Sequence, residues 1–169
     1  VEYPSMNKDG VPFGVITGMM AVRAAQCGFE GNKNLLEADE YKHYLDDLGK
    51  KWQVMDLYFK PYTCCRWAHP AIDACTGLMK KHALRHTDVE RVVIHTFRRA
   101  TMLSRIEPHT ADEAQYNIAY PVATAVVHGD FGIDRVLPEA FDDAAVLDMM
   151  KRLEFCVDDA AEAAFPARR

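Results

Sequence analysis

The sequence predicts an α+β protein in which helices pack on one face of a small, mostly antiparallel sheet, as a two-layer sandwich. Three stretches have the alternation of apolar and polar residues, or the content of β-branched residues, that is typical of strands. They lie at 54–59, at 89–98 and from 154 onward. Longer stretches with apolar residues at helical spacing separate them. The strands are too few and too widely spaced for a doubly wound parallel sheet, and no glycine-rich phosphate loop accompanies them.

The chain up to the first predicted strand is mainly helical in pattern. Residues 1–12 contain prolines, Asn, Asp and Gly, and are predicted to be irregular. Apolar residues at helical spacing then predict a helix over 13–27, and Gly28 is a typical residue for ending it. Asn34 is a suitable N-cap for a second helix over 35–48.

After the strand at 54–59, a helix is predicted from Pro70 to about His86, since proline suits the first helical turn. A helix over 111–128 is predicted next, with Thr110 as its cap and Pro121 as the site of a kink. The remaining elements are a short helical turn at 137–141, a helix over 144–153 capped by Asp142, and a final strand beginning at Glu154.

The composition excludes several classes of protein. Of 169 residues, 49% are hydrophobic and 27% charged, which is ordinary for a globular domain. The net charge of -5 gives no basic face for nucleic acid, and no apolar run approaches membrane-spanning length. Five cysteines without a Cys-x-x-Cys pair indicate neither a disulfide framework nor a zinc site, so we predict no functional metal and a cytoplasmic protein with reduced thiols.

The residues most suited to chemistry lie in one short segment, residues 60–70, with the sequence KPYTCCRWAHP. We name Lys60 as a candidate catalytic acid or base, because a lysine whose pKa is lowered by burial or by neighbouring cations can transfer protons. Arg66 is a candidate for substrate binding, since its planar guanidinium can hold a carboxylate at two points. For a lone lysine or arginine, the alternative is an exposed charge or a surface ion pair.

The other candidates in this segment have structural alternatives of similar weight. His69, a candidate catalytic residue, can shuttle a proton or can brace the start of the following helix. Tyr62 can donate a hydrogen bond to a substrate carboxylate, or can be a half-buried core residue. Cys65 is a candidate substrate contact. It follows Cys64, and small buried thiols are the commoner role for such cysteines.

Three collinear stretches resemble the MmgE/PrpD family. The pattern Lys-Pro-Tyr-x-Cys-Cys-Arg-x-x-His-x-x-Ile-Asp-Ala at 60–74 is similar to the family's signature. Residues 14–31, with Gly28-Phe29, resemble the helix and turn where the family's second domain begins. Residues 113–120, EAQYNIAY, resemble a later helix of that domain.

The resemblance implies that residues 1–169 form a single α+β domain, the second domain of a larger enzyme whose preceding helical domain is its partner. It implies a reaction without a cofactor, in which a proton is removed next to a carboxylate of a small di- or tricarboxylate. Lys8, near the position of a functional lysine of the family, is then a further catalytic candidate. A homodimer is also expected.

Dehydration of a 2-methylcitrate-like acid is the reaction that the resemblance favours. Epimerisation of an iminodisuccinate-like acid is the alternative. In the family's decarboxylase branch a histidine occupies the position of Cys65, and in the methylcitrate dehydratase branch the segment also differs, so the Cys-Cys-Arg form matches neither branch. An alternative of another class is a non-catalytic lid or oligomerisation module, because no self-contained acid–base pair at a diagnostic spacing is present.

Overall fold

The computed structural model describes residues 10–32 and 37–166. These residues divide into two compact units, a smaller one made of 10–32 with 37–59 and a larger one made of 60–166. Lys8 and Asn34, two residues named from the sequence, lie outside the described residues.

The smaller unit contains two helices, α1 at Gly10–Gln26 and α2 at Asp39–Asp46. The prediction of the first helix is confirmed, and Gly28 follows it with a positive φ of 88°, a conformation that glycine adopts at little cost. The second helix is shorter than predicted. Among the described residues, no helix combines the length and the apolar character needed to cross a lipid bilayer.

The predicted strand at 54–59 is wrong. Its first residues belong to a single 3₁₀ turn, Gln53–Asp56, and its backbone hydrogen bonds are local, as from the amide of Leu57 to the carbonyl of Val54. Phe59 is 98% exposed. Alternation of apolar and polar residues stabilises a strand only where a neighbouring strand accepts its backbone hydrogen bonds and one face is buried, and neither condition is met here.

The larger unit is built mainly from helices. Short 3₁₀ turns occur at Arg66–Ala68, His86–Asp88, Ile133–Val136 and Pro138–Ala140, the last confirming the predicted turn near 137–141. The remaining elements, in chain order, are α3 at His69–His82, β1 at Val92–Thr96, α4 at Arg98–Thr101, α5 at Ala111–Gln115, α6 at Ala119–His128, α7 at Ala144–Met150, β2 at Leu153–Val157 and α8 at Asp159–Ala164.

The two strands pair in parallel, with Val92 opposite Leu153 and Thr96 opposite Val157. The α+β class and the positions of these strands are therefore confirmed, but the prediction of a mostly antiparallel sheet is wrong. The physical reason is the connection between the strands. Parallel neighbours need a crossover of a dozen or more residues, and the chain between these strands, which passes through α4 to α7, is long enough to supply one.

The core of the larger unit is organised around α6, which packs against both α3 and α7. Every residue from Ala119 to Val126 is buried, so this helix is apolar on nearly all faces. Two details differ from the sequence prediction. Helix α3 ends at His82 rather than His86, because Ala83 takes the left-handed conformation with φ 51°. Asp143 rather than Asp142 caps α7, since its Oδ1 accepts from the amides of Ala145 and Val146.

The helix predicted over 111–128 is interrupted between α5 and α6. Thr110 caps α5 as predicted, its hydroxyl accepting from the amide of Glu113. Pro121 causes no kink within a helix. It lies in the first turn of α6, where backbone N–H groups make no hydrogen bond within the helix. The lack of an N–H on proline therefore costs the helix no hydrogen bond there. The fully buried Asn117 occupies the break, where its Oδ1 accepts from the amide of Tyr120 at 2.8 Å and its Nδ2 donates to the carbonyl of Ile106 at 2.7 Å.

The interruption gives a first prediction. Asn117→Ala leaves the N–H of the buried Tyr120 without its acceptor and the carbonyl of Ile106 without its donor, so the free energy of unfolding should fall by about 2 to 3 kcal/mol. Urea unfolding of both proteins measures this. Thr110→Ala is a suitable comparison, because it removes an exposed cap and should cost about 1 kcal/mol. An Asn117→Ala protein that lost no more stability than Thr110→Ala would contradict this role.

Candidate active site

Two backbone hydrogen bonds attach the segment 60–70 to the rest of the larger unit. The amide of Thr63 donates to the carbonyl of Phe131 at 3.3 Å, and the amide of Cys65 donates to the carbonyl of Gln115 at 2.8 Å. In an uninterrupted helix the carbonyl of Gln115 would accept from the amide of Ala119. The break between α5 and α6 therefore allows this carbonyl to hold the loop that carries the candidate residues.

The carbonyl oxygen of Cys64 brings two of the candidate side chains together. It accepts a hydrogen bond from Lys60 Nζ at 3.3 Å and lies 3.3 Å from His69 Nε2. Because a carbonyl can only accept, Nε2 must carry the proton of a neutral imidazole, which leaves the lone pair on Nδ1. Lys60 is exposed, Arg66 is half-buried and the His69 side chain is only 7% exposed.

The surroundings favour the neutral form of His69. Burial is the largest effect and lowers the pKa of the imidazole, and the positive charges of Lys60 and Arg66 lower it further. The hydrogen bond to Cys64 and the negative charge of Asp73 act in the opposite direction without reversing the shift. His69 is therefore neutral at pH 7, and both predicted cations lie near enough to influence it.

Tyr62 connects the loop to α3. Its hydroxyl donates to Asp73 Oδ1 at 2.6 Å, and its ring meets the His69 ring edge-on, with centroids 5.2 Å apart. Burial, followed by the hydrogen bond to Asp73, raises the pKa of Tyr62 to about 12. The single hydroxyl proton is thus already donated within the protein, so a substrate carboxylate would compete with Asp73 for it.

The two thiols of the segment are protonated at neutral pH. Burial raises the pKa of Cys64 to about 12, and burial also raises the pKa of the half-buried Cys65. Lys60 lowers both pKa values by a smaller amount. A protonated thiol is a poor nucleophile, so the arrangement supports packing or a weak contact with substrate for Cys65 rather than covalent chemistry.

The structure thus gathers five of the six predicted site residues, Lys60, Tyr62, Cys65, Arg66 and His69, on one loop and the start of α3. The sequence reasoning missed Asp73. A signal was available, because Asp73 follows His69 by four residues, which places both on the same face of a helix. It also missed the main-chain carbonyl of Cys64 as a shared acceptor, which no side-chain pattern reveals.

Two other findings concern possible ligand sites. Over residues 10–32 and 37–166, no three His, Cys, Asp or Glu side chains are grouped so that they could hold a metal ion. The larger unit has an open groove of about 520 Å³ between the C-terminal ends of α3 and α6, with Lys80, His86 and His128 among its lining residues. The segment 60–70 contributes no residue to the lining of that groove.

Comparison with known proteins supports the resemblance noted in the sequence. A cis-aconitate decarboxylase-like protein, oryM, of Aspergillus oryzae is 28% identical over 117 residues. The match covers 62% of this chain and 24% of that protein, so the chain corresponds to about a quarter of the relative's length. The family model described as the MmgE/PrpD C-terminal domain matches residues 62–169, which include all but the first two residues of the candidate segment. The chain therefore belongs to the MmgE/PrpD family.

Proposed function

We propose that this chain contributes the cationic, proton-transferring part of an active site that removes a carbon-bound proton next to a carboxylate of a small di- or tricarboxylate. The observation that carries the proposal is the convergence of Lys60 and His69 on one carbonyl oxygen, with Arg66 close enough to lower the pKa of the imidazole. Fixed positive charge beside a neutral base in a partly buried loop suits an anionic substrate that must lose a proton.

Each residue has a role that follows from its chemistry. Arg66 holds one carboxylate at two points. His69 presents the lone pair of Nδ1, to which the carbon-bound proton is transferred. The electron pair left on carbon is then delocalised into the adjacent carboxylate, where the ammonium group of Lys60 stabilises the added negative charge. In a dehydration, the departing hydroxide takes a proton from Lys60 and leaves as water.

The proposal names dehydration of a 2-methylcitrate-like acid as the reaction. Decarboxylation of a cis-aconitate-like acid is the second candidate, because the Aspergillus relative carries that description. Epimerisation of an iminodisuccinate-like acid needs the same first proton removal but returns the proton to the other face. Product analysis separates the three, since only the first releases water, only the second releases carbon dioxide, and the third leaves the formula unchanged.

The proposal predicts the effect of Lys60→Ala in the full-length enzyme that contains this chain. Loss of the acid and of its stabilising charge should lower kcat by about 100-fold or more, measured with citrate-like acids. Lys81→Ala is the matched control, because it removes an exposed lysine of α3 that does not line the groove at the helix ends. If Lys60→Ala kept the parental turnover, the catalytic role would be wrong and the alternative of a non-catalytic lid would be favoured.

The state of His69 predicts a pH dependence. A base that must be neutral is active above its pKa and inactive below it, and the pKa of His69 lies below its ordinary value of 6.5. The profile of kcat/KM should therefore fall on the acid side with a midpoint below pH 6.5. His69→Asn should remove most of the activity and the acid limb with it. An unchanged acid limb in that variant would show that another group titrates.

A further inference from the structure

Asp73, which has no role in the proton transfer proposed above, lies where it can influence His69. It lies one turn beyond His69 on α3, and it accepts the hydroxyl proton of Tyr62 at 2.6 Å. Tyr62 comes from the preceding loop, and its ring stands at 86° to the imidazole of His69. The tyrosine is therefore held at one end by Asp73 and contacts His69 with its ring.

We propose that Asp73 is a positioning residue, which acts through Tyr62 to hold the imidazole of His69 with Nε2 on the carbonyl of Cys64 and Nδ1 turned to the substrate. The proposal rests on the proposed role of His69 as the base. The substrate does not meet Asp73 in this scheme. Its effect is to limit the orientations that the imidazole can adopt.

The contacts of His69 explain why its ring needs a further restraint. Among the described residues, the carbonyl of Cys64, 3.3 Å from Nε2, is the one hydrogen-bond partner of the His69 ring, and a ring held at one point can rotate or exchange its two nitrogens. An edge-on aromatic neighbour restricts the plane of the ring. Tyr62 can supply that restriction only if its own position is fixed, and a hydrogen bond to a carboxylate is among the stronger ways to fix a hydroxyl.

Thr76 contributes to the same turn of the helix. Its hydroxyl donates to the carbonyls of Ile72 and Asp73. These bonds support the backbone beneath Asp73.

Asp73 differs from the other charged residues near His69 in its effect on the protonation of the imidazole. The charged side chains that influence the imidazole are Lys60 and Arg66 from the loop and Asp73 from α3. The first two favour the neutral form, and Asp73 alone among them favours the protonated form. Asp73 therefore has two separable effects, a steric one through Tyr62 and an electrostatic one on the imidazole. Asp73→Asn removes only the second, because an amide oxygen still accepts the hydroxyl proton.

The test uses the full-length enzyme with ¹⁵N-labelled histidine, in which His69→Gln identifies the signals of His69. In the parent, the ¹⁵N shifts should show the tautomer protonated on Nε2 as the dominant neutral form. Asp73→Asn should keep that tautomer and lower the midpoint of the His69 titration. Asp73→Ala and Tyr62→Phe should each give mixed tautomers and a kcat about tenfold lower or more, with KM little changed.

Two further comparisons make the test specific. The double variant Tyr62→Phe/Asp73→Ala should be no worse than either single variant, because both remove the same contact. Glu90→Gln is the matched control for Asp73→Asn, since it neutralises an exposed carboxylate on the same unit and should change neither the signals nor kcat.

The proposal is overturned if Asp73→Ala and Tyr62→Phe keep the parental nitrogen shifts of His69. Its failure can be distinguished from failure of the proposed function, because the nitrogen shifts do not depend on turnover. Changed shifts with unchanged kcat would uphold the positioning of His69 and would count against its role as the base.

Discussion

The interruption between α5 and α6 is the constraint on which the rest of the larger unit depends. Asn117, within the interruption, accepts from the amide of Tyr120 at the start of α6 and donates to the carbonyl of Ile106, which precedes α5. The interruption lets α6, which is buried from Ala119 to Val126, run through the core between α3 and α7. It also leaves the carbonyl of Gln115 to accept from Cys65, so the same local break that builds the core anchors the loop of the candidate site.

The electrostatics of the site follow from that anchoring. Because the loop folds back on its own backbone, the partner of Lys60 is a neutral carbonyl, and this bond does not cancel the charge of the ammonium group. The same carbonyl directs the proton of His69 to Nε2. Burial keeps the imidazole neutral and the neighbouring thiols protonated. A neutral base beside exposed positive charge is a consequence of this fold, and the membership in the MmgE/PrpD family gives it a chemical context.

The sequence predicts the elements whose signals are local. The strand around Val92–Thr96 and the final strand could be found because alternation there coincides with real pairing, and the cap at Thr110 because the hydroxyl and Glu113 are close in sequence. The parallel direction of the sheet could not be found in the strands themselves, since it depends on how the long connection between them returns the chain. At 54–59 the alternation of apolar and polar residues predicts a strand that does not form, because no strand in the described part of the chain pairs with this segment.

The candidate site was predictable to the extent that it is contiguous. Lys60, Arg66 and His69 lie within ten residues, so any loop would bring them near one another. The hydrogen bond between Tyr62 and Asp73 was harder to predict from the sequence, because it depends on how the loop folds back on α3. Lys8 remains a prediction.

The most direct test of the account is a crystal structure of the full-length enzyme with a bound, unreactive tricarboxylate such as tricarballylate. The account predicts one carboxylate bound at two points by the guanidinium of Arg66, the ammonium group of Lys60 within hydrogen-bonding distance of the ligand, and Nδ1 of His69 facing a carbon next to a carboxylate. A ligand bound instead in the groove at the ends of α3 and α6, with the segment 60–70 making no contact with it, would contradict the account.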